Sequence, residues 1–277
     1  MLGGLAPRLV RPGDERELFE ILCWRASAAV MGPAPVPEAI GRCAKIRRQV
    51  RASPVAVAAT LHPLGLLHAM DGDFDQARRL IRQGNAILDE LDRLQSAVSH
   101  HEALVEMLAG QPEVAEERLR LGYGRLQEMG ERALLPTTAA MLAQAVHTQG
   151  RYQEADAFCL VSEQTAAPED FSTQVMWRGV RAKLLARQGR LDEAAALARE
   201  AVQLAEPTDM LTIRADALVD LAEVLDLRGP SAEADAAARE GLALYDRKGD
   251  RVSSARFQRQ LAAGTPATGQ LRVNGGA

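Results

Sequence analysis

Five glycines, Gly72, Gly110, Gly150, Gly189 and Gly229, are separated by 38, 40, 39 and 40 residues, and each is followed five places later by an alanine. The segments read "GDFDQA", "GQPEVA", "GRYQEA", "GRLDEA" and "GPSAEA". A fixed period of this size marks a stacked-repeat architecture, in which each unit buries its apolar face only against its neighbours. No other feature constrains the fold as strongly.

Two further columns keep the register. Seven residues before each glycine stand Gly65, Ala103, Ala143, Ala182 and Ala222, and seven after each repeat alanine stand Gly84, Gly122, Ser162, Ala201 and Gly241. Small side chains at fixed places predict helix crossings, where backbones approach to the short end of the usual interaxial range of about 8–10 Å. The period glycine predicts a left-handed closure of the first helix in each pair.

The stretch "DGDFDQARRL" begins like an EF-hand loop, with Asp71, Asp73 and Asp75 at alternate positions. Such a loop needs glycine at its sixth position and a bidentate glutamate at its twelfth. Gln76 and Arg82 stand there instead. Asp73 is therefore read as a cap for the helix that follows.

These columns resemble the tetratricopeptide repeat, a helix-turn-helix unit of about 34 residues. The unit here is four to six residues longer, which is similar to the extended repeats of MalT-like regulators. "QVMWRGVRAKLLARQGRLDEAAALAREAVQLAEPTD" and "RADALVDLAEVLDLRG" look like the C-terminal helical array of bacterial regulators that join a cyclase or DNA-binding module to an ATPase. The chain has no G-x-x-x-x-G-K-[ST] phosphate loop, so those activities do not transfer to it.

Composition agrees. Apolar residues make up 47% and aromatic residues 4%, which suits helices packed through small side chains. The net charge of −4 gives no general attraction to nucleic acid. Cys23, Cys43 and Cys159 have no metal-ligand spacing and read as reduced thiols of a cytoplasmic protein. The N-terminus lacks the pattern of a signal peptide, and no run is long and apolar enough to span a membrane.

The expected fold is all-α, a right-handed superhelical solenoid of about six helix pairs plus a C-terminal capping helix. The pairs are placed at 14–31/37–52, 54–71/74–92, 94–109/112–129, 133–149/152–166, 170–188/191–206 and 209–228/231–248, with the cap at 251–263. Ser53-Pro54 is a helix start. The repeat domain thus covers 14–263, between a flexible N-terminus at 1–13 and a disordered tail at 264–277.

The resemblance also implies which side chains line a partner-binding groove on the first helices. They are His62, Leu66, His100, Leu104, Met107, Gln144, His147, Lys183, Arg187 and Glu223. Such a groove takes an amphipathic helix or an extended peptide. Leu104 and Met107 are equally readable as packed core, and the histidines either as titrating groups or as ordinary hydrogen-bonded residues. His100, His101, Glu102 and Glu106 lack the spacing of a metal site, because adjacent residues point about 100° apart on a helix. The lysine, asparagine and arginine clamp of chaperone-binding repeats is absent, with Lys183 isolated.

Trp177, Arg178 and Arg181 are surface candidates, since tryptophan and arginine are enriched at binding hot spots. The other reading has Trp177 bridging adjacent repeats and Arg178 paired with Glu169 or Asp170. The basic run "KIRRQVR" (Lys45, Arg47, Arg48, Arg51) reads as a solvated helix face.

No catalytic triad, H-E-x-x-H motif or paired carboxylate spacing occurs. The sequence therefore reads as a non-enzymatic scaffold in cytosolic signalling or transcriptional regulation, with no cofactor. Its partner would be a protein or peptide, for instance an ATPase, cyclase or DNA-binding regulator, and neither nucleic acid nor membrane. The alternative is an enzyme or small-ligand receptor with a pocket in the groove.

Overall fold

The structure, a computed structural model, describes residues 21, 24–26, 28–90 and 100–263. The expected flexible N-terminus 1–13, the tail 264–277, the helix start at 94 and Cys23 lie outside the described residues. All regular elements among them are α-helices: α1 (Val36–Gln49), α2 (Pro54–Asp71), α3 (Phe74–Glu90), α4 (His100–Leu108), α5 (Pro112–Met129), α6 (Leu135–Thr148), α7 (Tyr152–Thr165), α8 (Phe171–Arg187), α9 (Leu191–Ala205), α10 (Leu211–Asp226), α11 (Ala232–Lys248) and α12 (Arg251–Ala262). Residues 21, 24–26 and 28–31 are helical as well. The repeat fold is all-α, and the helices end within a few residues of the places the period sets.

The five period glycines share one backbone solution. Gly72, Gly110, Gly150, Gly189 and Gly229 all have positive φ, between 72° and 116°. At the first joint Gly72 N–H donates to Ala69 O at 3.0 Å and Asp73 N–H to His68 O at 2.9 Å. The same pair of bonds closes the joints at Gly110, Gly150 and Gly189. This double closure satisfies carbonyls that the helix end leaves open, and it needs a residue without Cβ strain in the left-handed region. Asp73 Oδ1 then accepts from Gln76 N–H at 3.0 Å. Asp73 is therefore a helix cap. Ser53 accepts from Ala56 N–H at 3.3 Å, ahead of Pro54 at the first helical position.

The chain divides into two compact units, residues 1–138 and 139–277. In the first, Cys43, Leu67, Ala77, Leu80, Ile81 and Val105 form part of the larger core, and Ile46, Ala58 and Leu88 part of a smaller one. In the second, Ala182, Ala194, Ala222, Leu225, Ala234 and Phe257 belong to one core, while Ala143, Val146, Ala155 and Cys159 pack with Val180 and Leu184. All five repeat alanines, Ala77, Ala115, Ala155, Ala194 and Ala234, are at most 2% exposed.

The small-residue columns sit at close approaches. A Cβ on Gly65 would meet the Ile81 side chain at 3.0 Å and the Ala77 carbonyl at 3.1 Å, and one on Gly241 would meet Val219 at 3.1 Å. Ala103, Ala143, Ala182 and Ala222 are buried, as are Ser162 and Ala201. Larger residues there would overpack the crossings.

Cys43 and Cys159 are both buried free thiols. Burial, with help from Asp156, pushes the Cys159 thiol up to about 12, so it carries almost no thiolate at neutral pH. Among the described residues no helix is long and apolar enough to cross a membrane.

Candidate functional site

The first helices of successive pairs present the expected groove positions, and the two units treat them differently. In the first unit most of these side chains turn inward. Leu66 is 4% exposed and belongs to the core, so it is not a groove residue. Leu104 packs against the same core, and Met107 is half-buried. The apolar stripe at these positions follows the helical period because it is core.

His62 is also turned away from an open face. A Cβ on Gly84 of α3 would come to 2.6 Å from the His62 ring, so the imidazole fills the space which that glycine leaves. The His101 ring stands 5.8 Å from it, centroid to centroid. His100 Nε2 lies 2.7 Å from Thr138 Oγ1. Because that hydroxyl donates to Leu134 O at 2.8 Å, it accepts from His100, which fixes the neutral imidazole with its proton on Nε2.

In the second unit charged side chains from successive first helices meet on one face. Lys183 of α8 places Nζ 2.6 Å from Asp220 Oδ1 and 3.8 Å from Glu223 Oε2, both on α10. The three side chains remain 17%, 20% and 31% exposed, so the cluster is largely buried with its edge at the surface. Burial alone would lower the pKa of Lys183, but the carboxylates of Asp220 and Glu223 outweigh it and raise it. Tyr245 of α11 donates to Asp216 on the same helix as Asp220. Gly179 makes the arrangement possible, since its missing Cβ leaves room for the Asp220 carboxylate.

One turn along α8, the Arg187 guanidinium lies over the Tyr152 ring at 3.9 Å. His147 meets the same ring edge-on at 5.3 Å. Burial and the neighbouring cations Lys183 and Arg187 push His147 down to about 3. Burial likewise lowers His62 and brings His100 to about 4. At those values neither His100 nor His147 titrates near neutral pH. Gln144 is half-buried on α6.

The surface candidates separate as well. Trp177 is 4% exposed, with its indole N–H donating to Gln174 Oε1 at 3.1 Å, so it is an interior residue and not a surface hot spot. The buried indole N–H has its partner within the same helix, which lets the large ring turn inward. Arg178 lies over that ring at 4.3 Å and approaches Glu200 at 3.6 Å, where the sequence suggested Glu169 or Asp170. Arg181 pairs with Glu163 at 2.9 Å.

Sequence reasoning placed Lys183 and Glu223, and Asp216 on the same groove-lining helix, but missed their partner Asp220, along with Tyr152 and Tyr245. The spacing carried a usable signal, because Asp216, Asp220 and Glu223 recur at helical intervals along one face of α10. Among the described residues no group of three His, Cys, Asp or Glu side chains is placed to hold a metal ion.

Comparison with known proteins supports the repeat reading. The tetratricopeptide repeat family matches at residues 58–83 and 177–200, around the first and fourth of the period glycines. No curated protein matches the chain. Among solved structures, NprR in complex with its cognate peptide NprX is similar with a TM-score of 0.56 at 13% identity, over 80% of this chain and 66% of that one. The apo form of the quorum sensor NprR from B. thuringiensis gives 0.52 at 12% identity, over 84% and 66%. A Podosopora anserina putative kinesin light chain with TPR-like repeats gives 0.45 at 20% identity, over 67% and 93%. The chain thus spans just under two thirds of the NprR structures it matches, and at these identities the likeness concerns the fold.

Proposed function

We propose that this array of tetratricopeptide repeats is a non-enzymatic scaffold that binds a peptide or an extended segment of a partner protein, and that the second unit reads charge in that partner. One observation carries the reading. Lys183, Asp220 and Glu223, contributed by two successive first helices, form a partly exposed charged cluster beside Arg187 and His147. Side chains of opposite sign at repeat spacing offer donors and acceptors to a peptide laid across the helices.

The peptide complex of the similarly folded NprR supports the same class of ligand. A role in cytoplasmic signalling or transcriptional regulation, beside an ATPase, cyclase or DNA-binding partner, is the finer form of this reading. So is a repeat domain that extends over residues 14–263. The sequence-derived site contracts, in this proposal, to His147, Lys183, Arg187 and Glu223, with Asp220 added.

A peptide array probed with the full chain and with Arg187→Glu and Glu223→Gln variants tests it. The wild type should retain a set of peptides of shared charge pattern, and both variants should lose or re-sort that set. Identical retention by all three proteins would overturn the reading.

A further inference from the structure

The run "KIRRQVR" acquires a second meaning once α1, α2 and α3 are packed. Arg47 and Arg48 in the last turn of α1, and Arg51 in the turn that follows, border a groove of about 520 Å³ whose remaining lining is Val57 and Leu61 of α2 and Gln83, Ala86 and Ile87 of α3. Leu61 is buried, Val57 and Ile87 are half-buried, and Ala86 is exposed. None of the three arginines has an ion-pair partner among the described residues. Cations near a helix C-terminus are favoured by its dipole, which accounts for their charge but not for the aliphatic floor beneath them.

We propose that this groove is a docking site for an acidic amphipathic helix of a partner protein. The floor would take aliphatic side chains from one face of that helix, and the arginines would take carboxylates beside them. Arginine suits this role because its planar fork pairs with a carboxylate through two hydrogen bonds and holds its charge at any physiological pH. Arg47 in the last turn of α1 and Arg51 in the turn beyond it border the same groove, so both can meet carboxylates on one face of a docked helix. Nucleic acid would also be drawn to three arginines, but the lining has no aromatic side chain on which a base could stack. The site lies in the first unit and does not depend on the charged cluster around Lys183.

The test uses the full chain and a fluorescein-labelled amphipathic peptide of about 15 residues, with leucines along one face flanked by glutamates. Anisotropy should show saturable binding to the wild type. Binding should weaken at least about tenfold with Arg48→Glu/Arg51→Glu, or when the peptide's glutamates become glutamines. Ala86→Glu, a change at an exposed position, should weaken it comparably, and thermal melts should show all variants folded. Arg187→Glu should leave it unchanged, which separates this site from the proposed peptide face. A single-stranded oligonucleotide of equal charge should not displace the peptide. Absent binding, equal binding by the arginine variant, indifference to the glutamine peptide, or displacement by the oligonucleotide would each overturn the proposal.

Discussion

Gly179 on α8 and Asp220 on α10 share one space: a Cβ at Gly179 would collide with Asp220 Oδ2. Replacing a helical glycine by alanine normally stabilises by about 0.5–1 kcal/mol. Here Gly179→Ala should destabilise, because the carboxylate must rotate away from Lys183. In an Asp220→Ala background the same change should regain the ordinary benefit. Urea melts of the four proteins in this double-mutant cycle measure the coupling, and equal effects in both backgrounds would deny it.

Ala182 and Arg187 lie on the same helix with opposite surroundings. Ala182 has 0% exposure within the core, so Ala182→Leu should cost about 1–3 kcal/mol through overpacking. Arg187 is exposed and touches Tyr152 with its guanidinium. Arg187→Leu should cost at most about 1 kcal/mol, the worth of an exposed cation–π contact. Denaturant melts giving equal losses would mean that the helix faces are wrongly assigned.

The repeat joints were legible in the sequence because they rest on backbone geometry, which only glycine satisfies at low cost. The crossings were legible for a similar reason, since Gly65 and Ala182 leave no volume for anything larger. Trp177 was not. Its type suggests an interface, while Gln174 one turn earlier supplies the hydrogen-bond partner that lets the indole turn inward. Asp220 was missed because the groove positions were taken from a general repeat pattern, whereas its place depends on the absence of a side chain at Gly179, one repeat earlier. Leu66 and Leu104 show the converse, with apolar residues at groove positions absorbed by the core.

The His100 imidazole should make stability fall in acid. Burial lowers its pKa from 6.5 to about 4 in the folded chain. Above pH 6.5 both folded and unfolded states are neutral and nothing is lost. As the pH falls from 6.5 toward 4 the unfolded state takes up the proton first, so stability declines and the contribution is gone below the folded pKa. Its size should be on the order of 1–3 kcal/mol, since one pKa unit is worth about 1.4 kcal/mol. His100→Gln, which keeps a donor for Thr138, should flatten that share of the slope. An unchanged slope in melts from pH 7 to 4 would remove His100 from the account.

Gly189 isolates the strain at a joint. It has φ of +80°, and a Cβ there would meet nothing within 4 Å. Gly189→Ala should therefore cost about 1–2 kcal/mol from backbone conformation alone. Gly189→Asn should cost less, because asparagine enters the left-handed region more readily. Equal losses by thermal melting would point to packing instead of backbone strain.

Cys43 and Cys159 stand in different units, each with its thiol enclosed by core side chains. An alkylating reagent can reach either sulfur only when the helices around it part. With Cys23 replaced by serine, the labelling rate at each site would clock the opening of its own half of the chain. Mass spectrometry of the two labelled peptides would then give two clocks in one experiment. Their ratio would tell whether the halves breathe together or independently, which a single melting curve averages away.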